Sequence, residues 1–203
     1  YERFPADLIQ FLGTFTSYLN GFQYRSEATD RYLKELKKDI GLLREIATPS
    51  DAALVLLAAI AEMFDRAITF IVRPAELVGE RAIGVSSDKS MGPMPADRLK
   101  VSLAQPSMFR EVLEKGSAYF GESGDDTLRV LYQEIGSPLS PSVALLPLVS
   151  ERKVMAIVYG DFGKKEASPV QIDILEILAQ QVGISLEYAV LRRQAAKADQ
   201  KSD

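Results

Sequence analysis

Four features of the chain carry residue types that could do chemistry. SERK (Ser150 to Lys153) has the Ser-x-x-Lys spacing of a serine nucleophile and its lysine base. That chemistry needs the Ser to open a helix, so that the Lys one turn on points into the same cleft. Here apolar runs flank the four residues on both sides, which predicts a hairpin turn and no catalysis. GKK (Gly163 to Lys165) has its upstream Gly at the wrong spacing for a phosphate-binding loop, and no Ser or Thr follows to hold magnesium. GESGDD (Gly121 to Asp126) gathers Glu122, Asp125 and Asp126, oxygens that suit a divalent cation. The full spacing of a calcium loop is missing, and aspartates ahead of an apolar-periodic stretch cap helices, so no metal site is expected. Arg73, leaving an apolar strand, has the charge to meet an anionic ligand, but a solvated strand-end Arg is the commoner outcome.

The absences say more. The chain has neither Cys nor His. Disulfides, thiol nucleophiles, zinc thiolate sites and thioether-linked chromophores are excluded, as are Ser-His-Asp and Cys-His catalysis and histidine-ligated haem. An enzyme would have to work with carboxylates, Lys, Ser, Thr or Tyr, and the expectation is that this is not one. A net charge of −4 gives no broad footprint for nucleic acid. No apolar run approaches the roughly 18 residues of a membrane span, and no secretory signal is visible, which predicts a cytoplasmic protein without a membrane partner. The chain opens on Tyr1 rather than Met, so the expectation is a piece of something longer.

Hydrophobic spacing then orders the elements. Leu8, Phe11, Leu12, Phe15, Tyr18, Leu19 and Phe22 recur at steps of three and four, one face of a helix with few basic residues. Leu33, Leu36, Ile40 and Leu43 form a short heptad-like seam, read either as a dimerising coiled coil or as an amphipathic helix packed on its own domain. TPSD (Thr48 to Asp51) breaks and restarts the chain into an apolar helix to about Phe64, with Pro49 suited to its first turn. Strands are predicted at 67–73 and 75–85, with Gly79 as a bulge or close-contact point, and a short one near LKVSL. Two small helices follow, Pro106 to Gly116 and Asp125 to Gly136, each with Gly placed to end it, around a strand in SAYFGE. The hairpin SVALLPLVS and KVMAIVYGDF turns at Glu151 and Arg152. A last helix, capped from Ser168, runs to about Arg193, and 194–203 reads as a polar tail. Antiparallel hairpins with helices gathered around them indicate an α+β fold.

In that order, several stretches resemble a GAF domain, a small-molecule sensor module of signalling proteins. They are AALVLLAAIAEMFDRAITFIV, SMFREVLEKGSAYFGES, the hairpin ALLPLVSERKVMAIVYGD, and SPVQIDILEILAQQVGISLEYAVL. The hairpin is similar to the signature pair in which "-PL" ends one strand and a "-viGvlyld" run forms the next, with Ala156 where many relatives have Gly. The resemblance covers roughly Ser50 to Leu191. It implies a twisted, PAS-like antiparallel sheet of five or six strands, N- and C-terminal helices on one face, and small helices and loops over a ligand pocket on the other. The cyclic-nucleotide pattern Asn-Lys-x-Asn-Phe-Asp is missing, and without Cys or His neither bilin attachment nor haem is expected, so no cofactor is.

The expected protein is a non-catalytic sensor or regulatory domain, acting as a homodimer through its terminal helices and binding an unidentified small ligand. The expected organisation is a helical extension over 1–49, a GAF-like domain over 50–193 and the tail. Strand alternation and helix faces select Phe70, Val72, Phe109, Phe120, Leu131, Tyr132, Ala144 and Leu146 as candidate pocket lining, although apolar residues at these periods also build cores. Leu8, Phe11, Leu12, Phe15, Leu33, Leu36, Ile40 and Leu43 are the candidate dimer interface. The alternative is a scaffold or dimerisation module whose pocket is filled by its own side chains.

Overall fold

The computed structural model describes residues 30, 31, 34, 35, 37–41, 43, 49–85 and 89–199, without the side chains of 49, 89, 189, 190 and 192–199. The chain divides into two compact units, Tyr1–Lys38 and Asp39–Asp203. In the first, the described residues are helical, and Lys38 pairs with Glu35 one turn away at 3.1 Å.

The second unit is built on an antiparallel sheet of seven strands: β1 (Arg66–Val72), β2 (Glu76–Ile83), β3 (Met94–Pro95), β4 (Lys100–Ser102), β5 (Tyr119–Glu122), β6 (Ser142–Ser150) and β7 (Lys153–Asp161). The order is β3-β2-β1-β7-β6-β5, with β4 also on β2. The expected five or six strands undercount by β3, a two-residue bridge containing Pro95 that has no periodicity to betray it. β1 and β6 are buried along most of their length because both faces of the sheet are covered there.

One face carries α1 (Pro49–Met63) and α4 (Ile172–Asp199), which also pack on each other. Pro49 opens α1, as the sequence predicts. Close approach depends on two glycines: a Cβ on Gly160 of β7 would lie 2.8 Å from Ile60 and 2.9 Å from Phe64, and one on Gly183 of α4 would lie 2.3 Å from the Val149 carbonyl oxygen. The capping expectation at Ser168 fails. The helix starts at Ile172, with the Gln171 carbonyl accepting from Ile174 and Leu175, and it continues to Asp199, past the expected end near Arg193. No helix among the described residues is long and apolar enough to cross a membrane.

The opposite face carries α2 (Met108–Lys115) and α3 (Asp126–Ile135). Ser107 caps α2 by accepting from the Arg110 amide, and Gly116, at φ 64°, ends it by donating to Val112. Gly79 fills both roles expected of it. Thr69 pairs with Arg81 and Phe70 with Gly79, which leaves Glu80 as the extra residue of a bulge. A Cβ at Gly79 would sit 2.2 Å from the Ala96 carbonyl oxygen.

Candidate functional site

Beneath α2 and α3, the sheet supplies Ile68, Phe70, Val143, Leu145, Ile157 and Tyr159, and the helices supply Phe109, Val112, Leu128 and Leu131. The centre is an aromatic stack. Phe70 meets Phe109 edge-on with centroids 5.9 Å apart, and Phe109 lies near-parallel to Tyr159 at 6.4 Å. All three rings are fully buried. Of the candidate pocket residues, Phe70, Phe109 and Leu131 are therefore core here, with Val72 and Tyr132 packed against them. Phe120, Ala144 and Leu146 lie on the other face. Ala144 pairs with Gly160, which sits under Ile60 and Phe64 of α1, and Leu146 pairs with Val158 on the same side. Phe120 pairs with Ala144, and its ring contacts Phe64 at 6.2 Å. Because strand side chains alternate with period two, assigning a doubly buried strand the wrong phase moves every residue to the wrong face.

One end of this core is polar. Asp161 closes β7 and Arg66 opens β1 directly opposite it. They form a two-pronged, fully buried ion pair, Nε to Oδ1 and Nη2 to Oδ2, both at 2.7 Å. Arg66 Nη1 also donates to the Ile135 and Gly136 carbonyls at 2.6 and 2.7 Å, so one guanidinium holds the C-terminal end of α3 onto the sheet. This satisfies carbonyls the helix cannot pair itself and sets a cation at the negative end of its dipole. The Gly163 amide and the Tyr159 hydroxyl donate to the same carboxylate. Burial alone would lower the Arg66 pKa, but Asp161 more than offsets it and raises it, so the guanidinium stays charged. Burial, then the Asp161 charge, pushes the Tyr159 phenol well above its usual value. Burial also raises Tyr132, whose buried hydroxyl lies beside Tyr159 without a well-formed hydrogen bond.

These shifts predict an alkaline limb. Above about pH 10 an unfolded tyrosine loses its proton while both phenols keep theirs in the fold. The native state then binds more protons, and stability falls as pH rises. Urea midpoints are expected to be insensitive to these groups below about pH 9.5 and to drop beyond it, with Tyr159→Phe flattening the drop.

Among the described residues, open space lies beside this core. A cleft of about 930 Å³ runs between one wall of Lys100, Val101, Ser102, Gln105 and Pro106 and another of Gly124, Asp125, Asp126, Thr127, Arg129 and Val130. That volume is in the range of small-molecule sites. Asp125 fixes the second wall: its Oδ1 caps α3 by accepting from Thr127, and its Oδ2 accepts from Met108 at the start of α2, both at 2.7 Å. The acidic GESGDD loop thus caps helices as expected, and no cluster among the described residues could hold a metal ion. Arg73 is exposed in the β1–β2 turn and does not line the cleft. The SERK stretch is a tight hairpin turn, Ser150 paired with Lys153 and both intervening residues at positive φ.

No protein-family model and no curated protein matches the sequence. Solved structures match its architecture. The GAF domain of an Acinetobacter phosphoenolpyruvate-protein phosphotransferase aligns with TM-score 0.57 and 12% identity, over 78% of this chain and 94% of that one. The corresponding domain from Coxiella burnetii gives 0.55 and 13%, over 82% and 96%. The chain has a GAF-like fold. A third match, a far-red absorbing dark state with bound biliverdin IXa, gives 0.54 and 9%, over 76% and 98%.

In the GAF-like unit, Leu43 of the candidate interface is buried within the chain itself, which leaves it no surface for a partner, and Ile40 is half-buried. Leu8, Phe11, Leu12, Phe15, Leu33 and Leu36 lie outside the described residues. The exposed apolar stripe that the structure does describe is on α4: Ile177, Ile184, Tyr188 and Leu191 are 45–63% exposed. Their spacing of seven, four and three is a heptad signal legible in the sequence but hidden behind the buried set Leu175, Leu178, Val182 and Leu186.

Proposed function

We propose that this chain is a non-catalytic regulatory domain that binds a small molecule in the Lys100–Pro106/Gly124–Val130 cleft and works as a dimer through its terminal helices. The observation that carries the reading is the cleft itself, open to solvent and walled by both helix-capping loops and β4. Binding there touches the Asp125 carboxylate that ties α2 to α3. The GAF-like fold of domains from phosphotransferases and of a biliverdin-binding protein agrees with a sensing role. The dimer rests on the α4 stripe, four large apolar side chains that a second helix would cover.

A specific observation favours a second reading, a scaffold that binds nothing small. The space between sheet and small helices is filled by Phe70, Phe109 and Tyr159.

Native mass spectrometry of the gently purified chain separates the two. A stoichiometric co-purified metabolite, or one from a broad panel that raises the melting temperature, supports sensing; no such compound supports the scaffold. For the dimer, light scattering at micromolar concentration is expected to give twice the 22.4 kDa chain mass. Ile184→Asp with Leu191→Asp is expected to give a folded monomer. A wild-type monomer, or a double variant that remains dimeric, overturns that part.

A further inference from the structure

The charges of the cleft select among ligands. Lys100 stands on one wall and Arg129 on the other, with Asp125 and Asp126 beside Arg129, so the lining is balanced in sign rather than basic or acidic. Each cation already has a partner: Arg129 Nη1 meets Asp126 Oδ1 at 2.7 Å, and Lys100 Nζ meets Glu76 Oε1 at 2.9 Å. Both pairs are exposed, and such pairs are weakly held in water. Asp125 is committed, since both its oxygens accept from backbone amides.

A ligand of single sign entering here engages only one member of a pair. A zwitterion engages both. Its carboxylate meets the Arg129 fork while its ammonium meets the Asp126 carboxylate, and every charge keeps a partner. Thr127 and Gln105 add hydrogen-bonding groups nearby, and Val130 offers an apolar surface to a side chain. We infer that the cleft binds a free α-amino acid, held at both ends by Asp126 and Arg129. The inference rests on the sensor reading and names its ligand class.

Calorimetric titration of the full chain with the standard free amino acids tests it, followed by the N-acetyl and the amide form of the tightest binder. The expected result is saturable binding, weakened at least tenfold by blocking either end. Arg129→Gln and Asp126→Asn are each expected to weaken it at least tenfold, with melting temperatures unchanged, as befits exposed side chains. A blocked form that binds as well as the free amino acid overturns the inference, as does affinity within twofold of wild type in both variants. A parallel panel of metabolites lacking an ammonium or a carboxylate separates the two levels. Binding by such a compound with none by any amino acid overturns the zwitterion and keeps the sensor; binding by neither panel overturns both.

Discussion

Arg66→Met is expected to lower the unfolding free energy by about 3–5 kcal/mol, the cost of leaving a buried charge without its partner. Met keeps much of the volume, so the loss comes mainly from the polar contacts and little from packing. Asp161 is fully buried and would retain only the Gly163 amide and the Tyr159 hydroxyl as donors. The Ile135 and Gly136 carbonyls would lose the same guanidinium. Arg66→Lys is expected to recover part of the loss, because an ammonium supplies the charge but not the planar fork that reaches two carboxylate oxygens and two carbonyls together. Urea unfolding gives the magnitude. Hydrogen exchange locates it, with faster exchange at the C-terminal turn of α3 before the sheet opens. By contrast, Arg110→Gln, which breaks the exposed pair with Glu114, is expected to cost no more than about 1 kcal/mol. If Arg66→Met lost as little, the latch would be a spectator of a core that holds α3 by packing alone.

That latch was illegible in the sequence for a physical reason. Asp161 follows an apolar strand and Arg66 precedes one, positions where charged residues ordinarily reach solvent. Only the antiparallel pairing of β1 with β7 brings them opposite each other, 95 residues apart. What was legible depends on local rules. Helix ends at Gly116 and Gly136 follow from glycine's freedom, the hairpin from the polar break at Glu151 and Arg152, and the Gly79 bulge from a glycine within a strand. Alternation carries phase only when one face is polar. SVALLPLVS is apolar throughout, so nothing local shows that Val143 and Leu145 face the small helices while Ala144 and Leu146 face α1 and α4. The cleft was missed too, because Lys100 and Arg129 read singly as solvated surface, and only the fold places their walls across one opening.

Phe109→Ala is expected to cost about 3–5 kcal/mol, the range for truncating a buried aromatic side chain. The ring is fully buried between Phe70 and Tyr159, and its removal takes away both contacts and leaves a void lined by apolar atoms. The site cannot readily collapse, since Phe70 and Tyr159 belong to strands β1 and β7, paired with each other along their length. Bordered by the Phe70 and Tyr159 rings, the void should admit a small aromatic such as benzene. A stability loss near the expected value, partly restored by benzene, identifies Phe109 as core and leaves ligand binding to the cleft. Binding at Arg129 should survive in this variant below its lowered melting temperature, since Phe109 does not line that opening. The opposite result has an equally definite meaning. If Phe109→Ala cost under about 1 kcal/mol and abolished metabolite binding, the ring would be a movable plug on a pocket beneath α2, not part of its packed floor.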